Sequence, residues 1–178
     1  HGVRAVVLTG AGDVAFMAGA DISEFQELQA EPGGLDRHSL MARGVFDSWQ
    51  ALPQPLIAAV GASAVGGGLE IALVCDLIVA DPAARFGLPE VKLGLIPGGG
   101  GTQRLPARIG HGAAAELLLL GSLIGAERAY ELGLVNRIAE PGGALALAQE
   151  VAGRIASLPR VAVTAAKRAL GQSVTAQA

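Results

Sequence analysis

The chain of 178 residues is long enough for one domain with a sizeable core, and 51% of its residues are hydrophobic. It contains 26 glycines but only 3% aromatic residues, which favours an α/β core of small and aliphatic side chains over a disulfide scaffold. A net charge of −3 excludes a strongly basic field, so we expect neither nucleic acid nor an anionic membrane surface as a partner.

The hydropathy of the chain does not predict a membrane span. Prolines and glycines interrupt the longest uncharged stretch before Glu70 and Asp76 end it, so no run of about 20 apolar residues is available. The single cysteine, Cys75, cannot form an internal disulfide and is predicted to be a buried, inert thiol suited to a reducing compartment. We therefore expect a soluble, cytoplasmic protein.

The first elements are a strand, a loop and a capped helix. Residues 3–9 form a short apolar run that predicts a buried strand, and the small residues and glycines of 11–21 predict a loop. Asp21 followed by Glu24 has the spacing of a capping box for a helix over residues 22–29. Asp21 is thus explained as a helix cap without any ligand.

The central part of the chain alternates strands with helices. The Gly-rich segment 31–37 predicts a mobile surface loop, and residues 38–52 resume helical spacing. Apolar runs at 55–62 and 75–82 predict buried strands on either side of a helix at 68–75. This alternation is typical of crossover units and of a mainly parallel sheet covered on both faces.

The last part of the chain is predicted to be helical. Residues 87–110 are too rich in glycine and proline for one regular element, so we expect a structured loop that leads into helices. Four amphipathic helices are predicted beyond it, at 113–121, 125–133, 144–158 and 162–174. We interpret residues 1–178 as a single domain with a core at 1–110 and a helical part at 111–178.

Three glycines, Gly66 to Gly68, stand immediately before the helix 68–75. Glycine lets the backbone turn sharply and lets a ligand approach, while unpaired N–H groups at a helix start favour negative charge. Such a turn can form an oxyanion hole, although a tight turn without a ligand explains the same residues. No GK[ST] ending follows, so a nucleotide phosphate loop is weakly supported.

Two carboxylates flank this part of the chain. Glu70 lies in an otherwise apolar stretch with no further charges at helical spacing, so a buried carboxylate is predicted, and burial raises a carboxyl pKa toward the range useful for proton transfer. The interval from Glu70 to Glu90 fits a helix, a strand and a return segment, which could bring both groups to one cleft. The alternative is that Glu90 is a surface residue paired with Lys92 or Arg85.

Three segments together resemble the enoyl-CoA hydratase (crotonase) family. They are AFMAGADISEF, VGGGLEIALVCDLIVA and FGLPEVKLGLIPGGGGTQRL, in the order and with the spacing of that family, and the similarity continues over nearly the whole chain. The resemblance implies a crotonase-like α/β fold, a spiral of parallel-sheet ββα units followed by C-terminal helices.

The resemblance also implies roles for individual residues. The backbone N–H groups of Ala20 and Gly67 would hold a thioester carbonyl and stabilise enolate-like charge. Glu70 and Glu90 would hold one water, with one acting as base toward it and Glu90 favoured as donor of the C2 proton. Gly98 matches the family position beside that water.

The substrate implied is an acyl-CoA thioester, whose coenzyme A is part of the substrate, so that no separate cofactor and no metal are expected. The segment from Ala20 to Ser23 would border the CoA. The implied substrate-binding residues are Ala18, Ala20, Asp21, Ile22, Ser23, Gly67 and Gly98.

The activity expected from the resemblance is hydration of a trans-2-enoyl-CoA to a 3-hydroxyacyl-CoA. The nearest alternative is double-bond isomerisation, which needs only one of the two carboxylates, because fold and site plan are shared across several reactions. The family's N-terminal portion is missing before His1 and its C-terminal helices after Ala178, so we expect a fragment of an enzyme that forms homotrimers or hexamers. The missing ends also motivate a non-catalytic acyl-CoA-binding or assembly module as an alternative.

Overall fold

The computed structural model describes residues 2–19, 27–28 and 30–175, with side chains described as far as residue 171. The predicted capping box of Asp21 and Glu24, and most of the predicted helix 22–29, lie outside these described residues. Along the part of the chain that is described, none of the helices combines the length and the apolar character needed to cross a bilayer.

Within the described residues, eight short strands form two four-stranded sheets. The first sheet has the order β1, β3, β5, β8 and is parallel throughout, and the second has the order β2, β4, β6, β7 and is parallel except for the β6–β7 pair. The first sheet comprises β1 (Val6–Thr9), β3 (Leu56–Val60), β5 (Leu77–Ala80) and β8 (Arg137–Ile138). The second comprises β2 (Ala15–Met17), β4 (Ser63–Val65), β6 (Arg85–Gly87) and β7 (Ile124–Gly125).

Seven α-helices and one 3₁₀ helix are described. The α-helices are α1 (Gly34–Gln50), α2 (Gly67–Val74), α3 (Gly101–Ile109), α4 (His111–Leu120), α5 (Ala126–Glu131), α6 (Ala144–Ala156) and α7 (Arg160–Thr175), and the 3₁₀ helix η1 is Pro89–Leu93. The chain repeats one pattern three times: a strand in the first sheet, a strand in the second sheet and then a helical segment. These strand–strand–helix units wind as a spiral. This is the predicted crotonase-like α/β fold.

The first sheet is covered on both faces, which explains why its central strand is a continuous apolar run. All five residues of β3 are buried. Ala58 and Val60 face the larger core cluster, which also contains Phe86 of the second sheet. Ile57 and Ala59 face a smaller cluster that α6 closes. The predicted strands at 55–62 and 75–82 are therefore confirmed as core elements.

Three elements lie wholly or partly where the sequence predicts loops. β2 occupies part of the predicted loop 11–21 and pairs with β4, but three residues are too few to reveal a strand period. α1 begins at Gly34 because Gly33, in the left-handed region with φ 70°, turns the chain and its carbonyl accepts the N–H of Arg37 at 3.1 Å. α3 lies in the predicted loop 87–110, where neighbouring glycines and Pro106 hide its helical period.

Candidate active site

The three consecutive glycines connect β4 to α2 in a single sharp turn. Gly66 has φ 58° and ψ −130°, a conformation that residues with a Cβ seldom adopt, and its N–H donates to the carbonyl of Gly87 at 3.0 Å. The helix therefore starts directly after the strand. Gly67 is the first residue of α2, and an α-helix does not use the N–H of its first residue in its own hydrogen-bond ladder.

The start of α2 packs directly against the end of β2 and the residues that follow it. A Cβ on Gly68 would overlap the carbonyl oxygen of Met17, so only glycine allows this approach. A Cβ on Gly19 would lie 3.5 Å from the backbone nitrogen of Gly67. Gly19, which precedes the predicted oxyanion residue Ala20 in the chain, thus lies beside the other predicted oxyanion residue, Gly67. Of the predicted substrate-binding residues there, Ala18 is described, but Ala20, Asp21, Ile22 and Ser23 lie outside the described residues.

Glu70 is held inside the molecule by the loop that precedes α3. Its relative exposure is 5%, and its Oε1 accepts the N–H of Gly101 at 2.8 Å. A Cβ on Gly99 would lie 2.9 Å from Glu70 Oε2, and one on Gly101 would lie 3.0 Å from Oε1. Glycines at both positions therefore let the backbone close around the carboxylate. The predicted burial of Glu70 is confirmed.

Opposing influences act on the acidity of Glu70. Burial raises its pKa above the ordinary value, and this is the largest influence. The N–H groups of Gly101 and Gly99 and the charges of Arg104 and Arg43 act in the opposite direction. A carboxylate of raised pKa that still has donors for its ionised form is suited to exchange protons with a bound molecule.

Glu90, on the 3₁₀ helix η1, reaches the same region from the other side. A Cβ on Gly66 would lie 3.4 Å from Glu90 Oε1, so the carboxylate borders the glycine turn. Its Oε2 is buried and has no hydrogen-bond partner among the described residues. Burial raises the pKa of Glu90, and the nearby charge of Glu70 raises it further.

The alternative for Glu90, a surface ion pair, does not describe its environment. Among the described residues no ion pair joins Glu90 to Lys92 or Arg85. Its carboxylate is instead turned toward the glycine turn and the charge of Glu70. The free thiol of Cys75 is buried, as predicted, and burial raises its pKa to about 12, so it is inert as a nucleophile at neutral pH.

Sequence reasoning identified Gly98 but missed the side chains around it. A Cβ on Gly98 would lie 2.6 Å from the hydroxyl oxygen of Ser39, and a Cβ on Gly99 would overlap the ring of Phe46. Both of these side chains belong to α1, which therefore packs onto the glycine-rich loop 98–101 (the glycine loop). No local pattern in the sequence signals this contact, because the two segments are distant in the chain.

The arrangement combines two kinds of chemical capability. Two partly or fully buried carboxylates with raised pKa values are suited to give and take protons. The helix start at Gly67 presents a backbone N–H beside them, which can stabilise negative charge that develops on a carbonyl oxygen. Proton transfer next to a carbonyl group requires both of these features.

Comparisons with known proteins agree with this chemistry. The sequence model of the family described as Enoyl-CoA hydratase/isomerase matches residues 1–178. The short-chain-enoyl-CoA hydratase of Clostridium acetobutylicum is 44% identical over 172 residues, covering 97% of this chain and 65% of that protein. The crotonyl-CoA hydratase of Syntrophomonas wolfei subsp. wolfei is 41% identical over the same length, with the same coverage of each chain.

A solved structure shows the same architecture. The crystal structure of enoyl-CoA hydratase from Bacillus anthracis matches with a TM-score of 0.89 and 43% sequence identity, covering 97% of this chain and 66% of that one. The chain thus spans 65% of the length of the two curated relatives. From the family match over its whole length and these relatives, the chain belongs to the enoyl-CoA hydratase/isomerase family.

Proposed function

We propose that the full-length protein is an enoyl-CoA hydratase, which adds water across the 2,3 double bond of a trans-2-enoyl-CoA and forms a 3-hydroxyacyl-CoA. The observation that carries this proposal is the pair of carboxylates of raised pKa, Glu70 and Glu90, beside the glycine turn. Two of the similar proteins are named short-chain-enoyl-CoA hydratase and crotonyl-CoA hydratase. The reaction needs no cofactor besides the coenzyme A that the substrate carries.

In the proposed mechanism the N–H of Gly67, together with that of Ala20, binds the thioester oxygen and stabilises the enolate. Glu70 takes a proton from water as the water oxygen bonds to C3, and the π electrons move toward the thioester carbonyl. Glu90 then gives its proton to C2 as the carbonyl re-forms. One water is added, and one proton passes from Glu70 back to Glu90 through solvent to complete the cycle.

The surroundings of the two carboxylates support this division of roles. Glu90 has two influences that raise its pKa, burial and the charge of Glu70, which favours the protonated form of a proton donor. Glu70 has N–H donors and two nearby arginine charges that support its ionised form, as a base requires. The pKa values of both groups are raised, but the groups around them differ, and carboxyl groups in different surroundings can divide the acid and base roles.

The first test uses crotonyl-CoA and the full-length protein. We expect its conjugated enoyl-thioester absorbance to fall with time and 3-hydroxybutyryl-CoA to accumulate. Binding of the substrate with no change in absorbance would contradict hydration. A conjugated product formed from a 3-enoyl-CoA would then indicate double-bond isomerisation, whereas binding of both thioesters without any product would indicate an acyl-CoA-binding module.

We also propose that the full-length protein forms homotrimers or hexamers. Large apolar side chains are exposed around α4 and η1, two elements that contact each other, and these residues are 42–78% exposed. Exposed apolar side chains grouped on neighbouring elements often mark a surface that a partner covers. This group, named here the α4 patch, consists of Val91, Leu93, Ile96, Leu119, Leu120 and Leu123.

The test of assembly is the molar mass from light scattering coupled to size-exclusion chromatography. We expect wild type to have three or six times the monomer mass and the double variant Leu119→Glu, Leu120→Glu to dissociate, because charges would be buried at the interface. Val161→Glu is the matched control, since Val161 is exposed on α7 outside the α4 patch. A monomeric wild type would contradict the assembly, and an undissociated double variant would exclude the α4 patch as its interface.

A further inference from the structure

Arg104, on α3, connects the glycine loop to α1. Its Nη1 donates to the carbonyl oxygen of Gly99 at 2.6 Å. Its Nε donates to Gln50 Oε1 at 3.0 Å and its Nη2 donates to Asp47 Oδ1 at 2.5 Å. The Arg104 side chain is only 13% exposed. One planar guanidinium with donors fixed in direction thus joins three separate acceptors.

The part of the chain that Arg104 holds is the part that encloses Glu70. The carbonyl of Gly99 faces Arg104, while the α-carbon of the same residue lies against Glu70 Oε2. Gly100, with φ +100°, leaves room for the guanidinium, because a Cβ there would overlap Arg104 Nη1. The N–H of Gly101 then donates to Glu70 Oε1. The glycine loop is therefore held between Arg104 and the buried carboxylate.

Charged groups surround Glu70 from three elements. Arg104 of α3 and Arg43 of α1 lower its pKa, and Arg104 is the stronger of the two. Glu90 of η1 is close enough that the charge of Glu70 raises the pKa of Glu90. Asp47 of α1 forms an ion pair with Arg104 and offsets part of the arginine charge. Removal of Arg104 therefore removes both a support of the loop and a favourable charge.

On the basis of the hydration proposed above, we propose that Arg104 is a positioning residue, which clamps the glycine loop onto α1 so that the N–H of Gly101 stays on the Glu70 carboxylate. Four consecutive glycines have no side chains to hold them in one conformation, so an external contact must restrict them. Arg104 does not contact the reacting atoms in this proposal; it acts through the loop and through Glu70.

The test compares Arg104→Met, Arg104→Lys and Arg108→Met in the full-length protein. Arg108 is the matched control, because it lies one turn further along α3, is also half-buried, and donates to the carbonyl of Cys75 at 2.6 Å at the far end of α2. For Arg104→Met we expect kcat to fall by about 10²-fold, as for a misplaced catalytic group, with a smaller change in KM. Arg104→Lys keeps the positive charge but lacks the planar guanidinium with its several donors, so we expect kcat to recover in part.

The pH dependence separates positioning from a general loss of stability. Because Arg104 lowers the pKa of Glu70, its removal raises that pKa, and a base that must be ionised becomes active only at higher pH. We therefore expect the acidic limb of the kcat profile to move to higher pH in Arg104→Met and to return toward wild type in Arg104→Lys. Arg108→Met should lower the melting temperature and leave that limb in place.

A second measurement does not depend on turnover. The titration of Glu70, followed by carbon-13 NMR of the labelled carboxyl group, should show a higher pKa in Arg104→Met than in wild type and Arg108→Met. An Arg104→Met variant with kcat within about threefold of wild type and an unmoved Glu70 titration would overturn the inference. An equal movement in Arg108→Met would also overturn it. If wild type does not hydrate crotonyl-CoA, the proposed function fails, and the Glu70 titration alone decides the role of Arg104.

Discussion

Replacement of Glu70 with Gln is expected to reduce kcat for hydration of crotonyl-CoA by about two orders of magnitude or more, with a smaller change in KM. The amide has nearly the size of the carboxylate, and its carbonyl oxygen can still accept the N–H of Gly101. It cannot accept a proton from water under these conditions, however. The variant therefore removes the proton transfer and keeps the packing of the buried side chain.

Replacement of Glu90 with Gln is expected to have an effect of the same size for the complementary reason. The protonated carboxyl group is a proton donor, whereas an amide does not release a proton to C2 at neutral pH. Since the two groups act in one reaction, the double variant should lose little more than either single variant. The measurement is the initial rate of absorbance loss at several crotonyl-CoA concentrations, from which kcat and KM are obtained separately.

The matched control for both variants is Glu150→Gln, which makes the same chemical change at an exposed position on α6. Its kcat should equal that of wild type. Circular dichroism and melting temperature of each variant should show whether the fold is retained. If folded Glu70→Gln and Glu90→Gln both keep more than a tenth of wild-type kcat, the assignment of the two carboxylates is wrong, since general acid–base catalysis contributes about 10²–10⁴-fold.

Gly68→Ala is expected to destabilise the fold by about 3 kcal/mol, near the upper end of the usual range for overpacking of a core. A Cβ at this position would overlap the carbonyl oxygen of Met17, and this contact involves backbone rather than a flexible side chain. The start of α2 and the segment after β2 would have to separate. For a chain of this size, the loss corresponds to a melting temperature lower by about 6–12 °C.

Gly153→Ala is the matched control, because it makes the same substitution inside a helix with open space around it. Gly153 lies on α6, where alanine is favoured over glycine by about 0.5–1 kcal/mol, so this variant should be as stable as wild type or more stable. Chemical denaturation of both variants measures the difference. If Gly68→Ala unfolds at the same denaturant concentration as Gly153→Ala, the close packing of α2 against β2 is not required for stability.

These two sets of variants examine different properties of one structure. The carboxylate variants change proton transfer while the backbone stays in place. Gly68→Ala instead changes the distance between the two segments that present Gly19 and Gly67 to each other. The fraction of the Gly68→Ala variant that is folded should therefore also show a raised KM for the thioester, because the backbone groups proposed to bind the thioester are displaced.

Much of the fold was predictable because it follows from local patterns in the chain. A continuous apolar run at 55–62 predicts a strand covered on both faces, and β3 is such a strand. The absence of other charges at helical spacing around Glu70 predicted its burial, and the apolar surroundings of Cys75 predicted an inert thiol. Hydrophobic periodicity reports which side of an element faces a core, so these conclusions needed no distant contact.

Tertiary structure decided the contacts between segments that are far apart in the sequence. The approach of Gly68 to Met17, the position of Glu90 beside Gly66, and the contacts of Arg104 with Asp47 and Gln50 all join residues from different elements. Local spacing allowed Glu90 to be either a surface residue or a partner of the site, because it does not specify how successive turns of the spiral stack. The amino-acid sequence by itself determined which carboxylate is buried and where the chain can turn sharply, and the packing of the turns determined which groups meet, since close packing joins backbone segments that no local period relates.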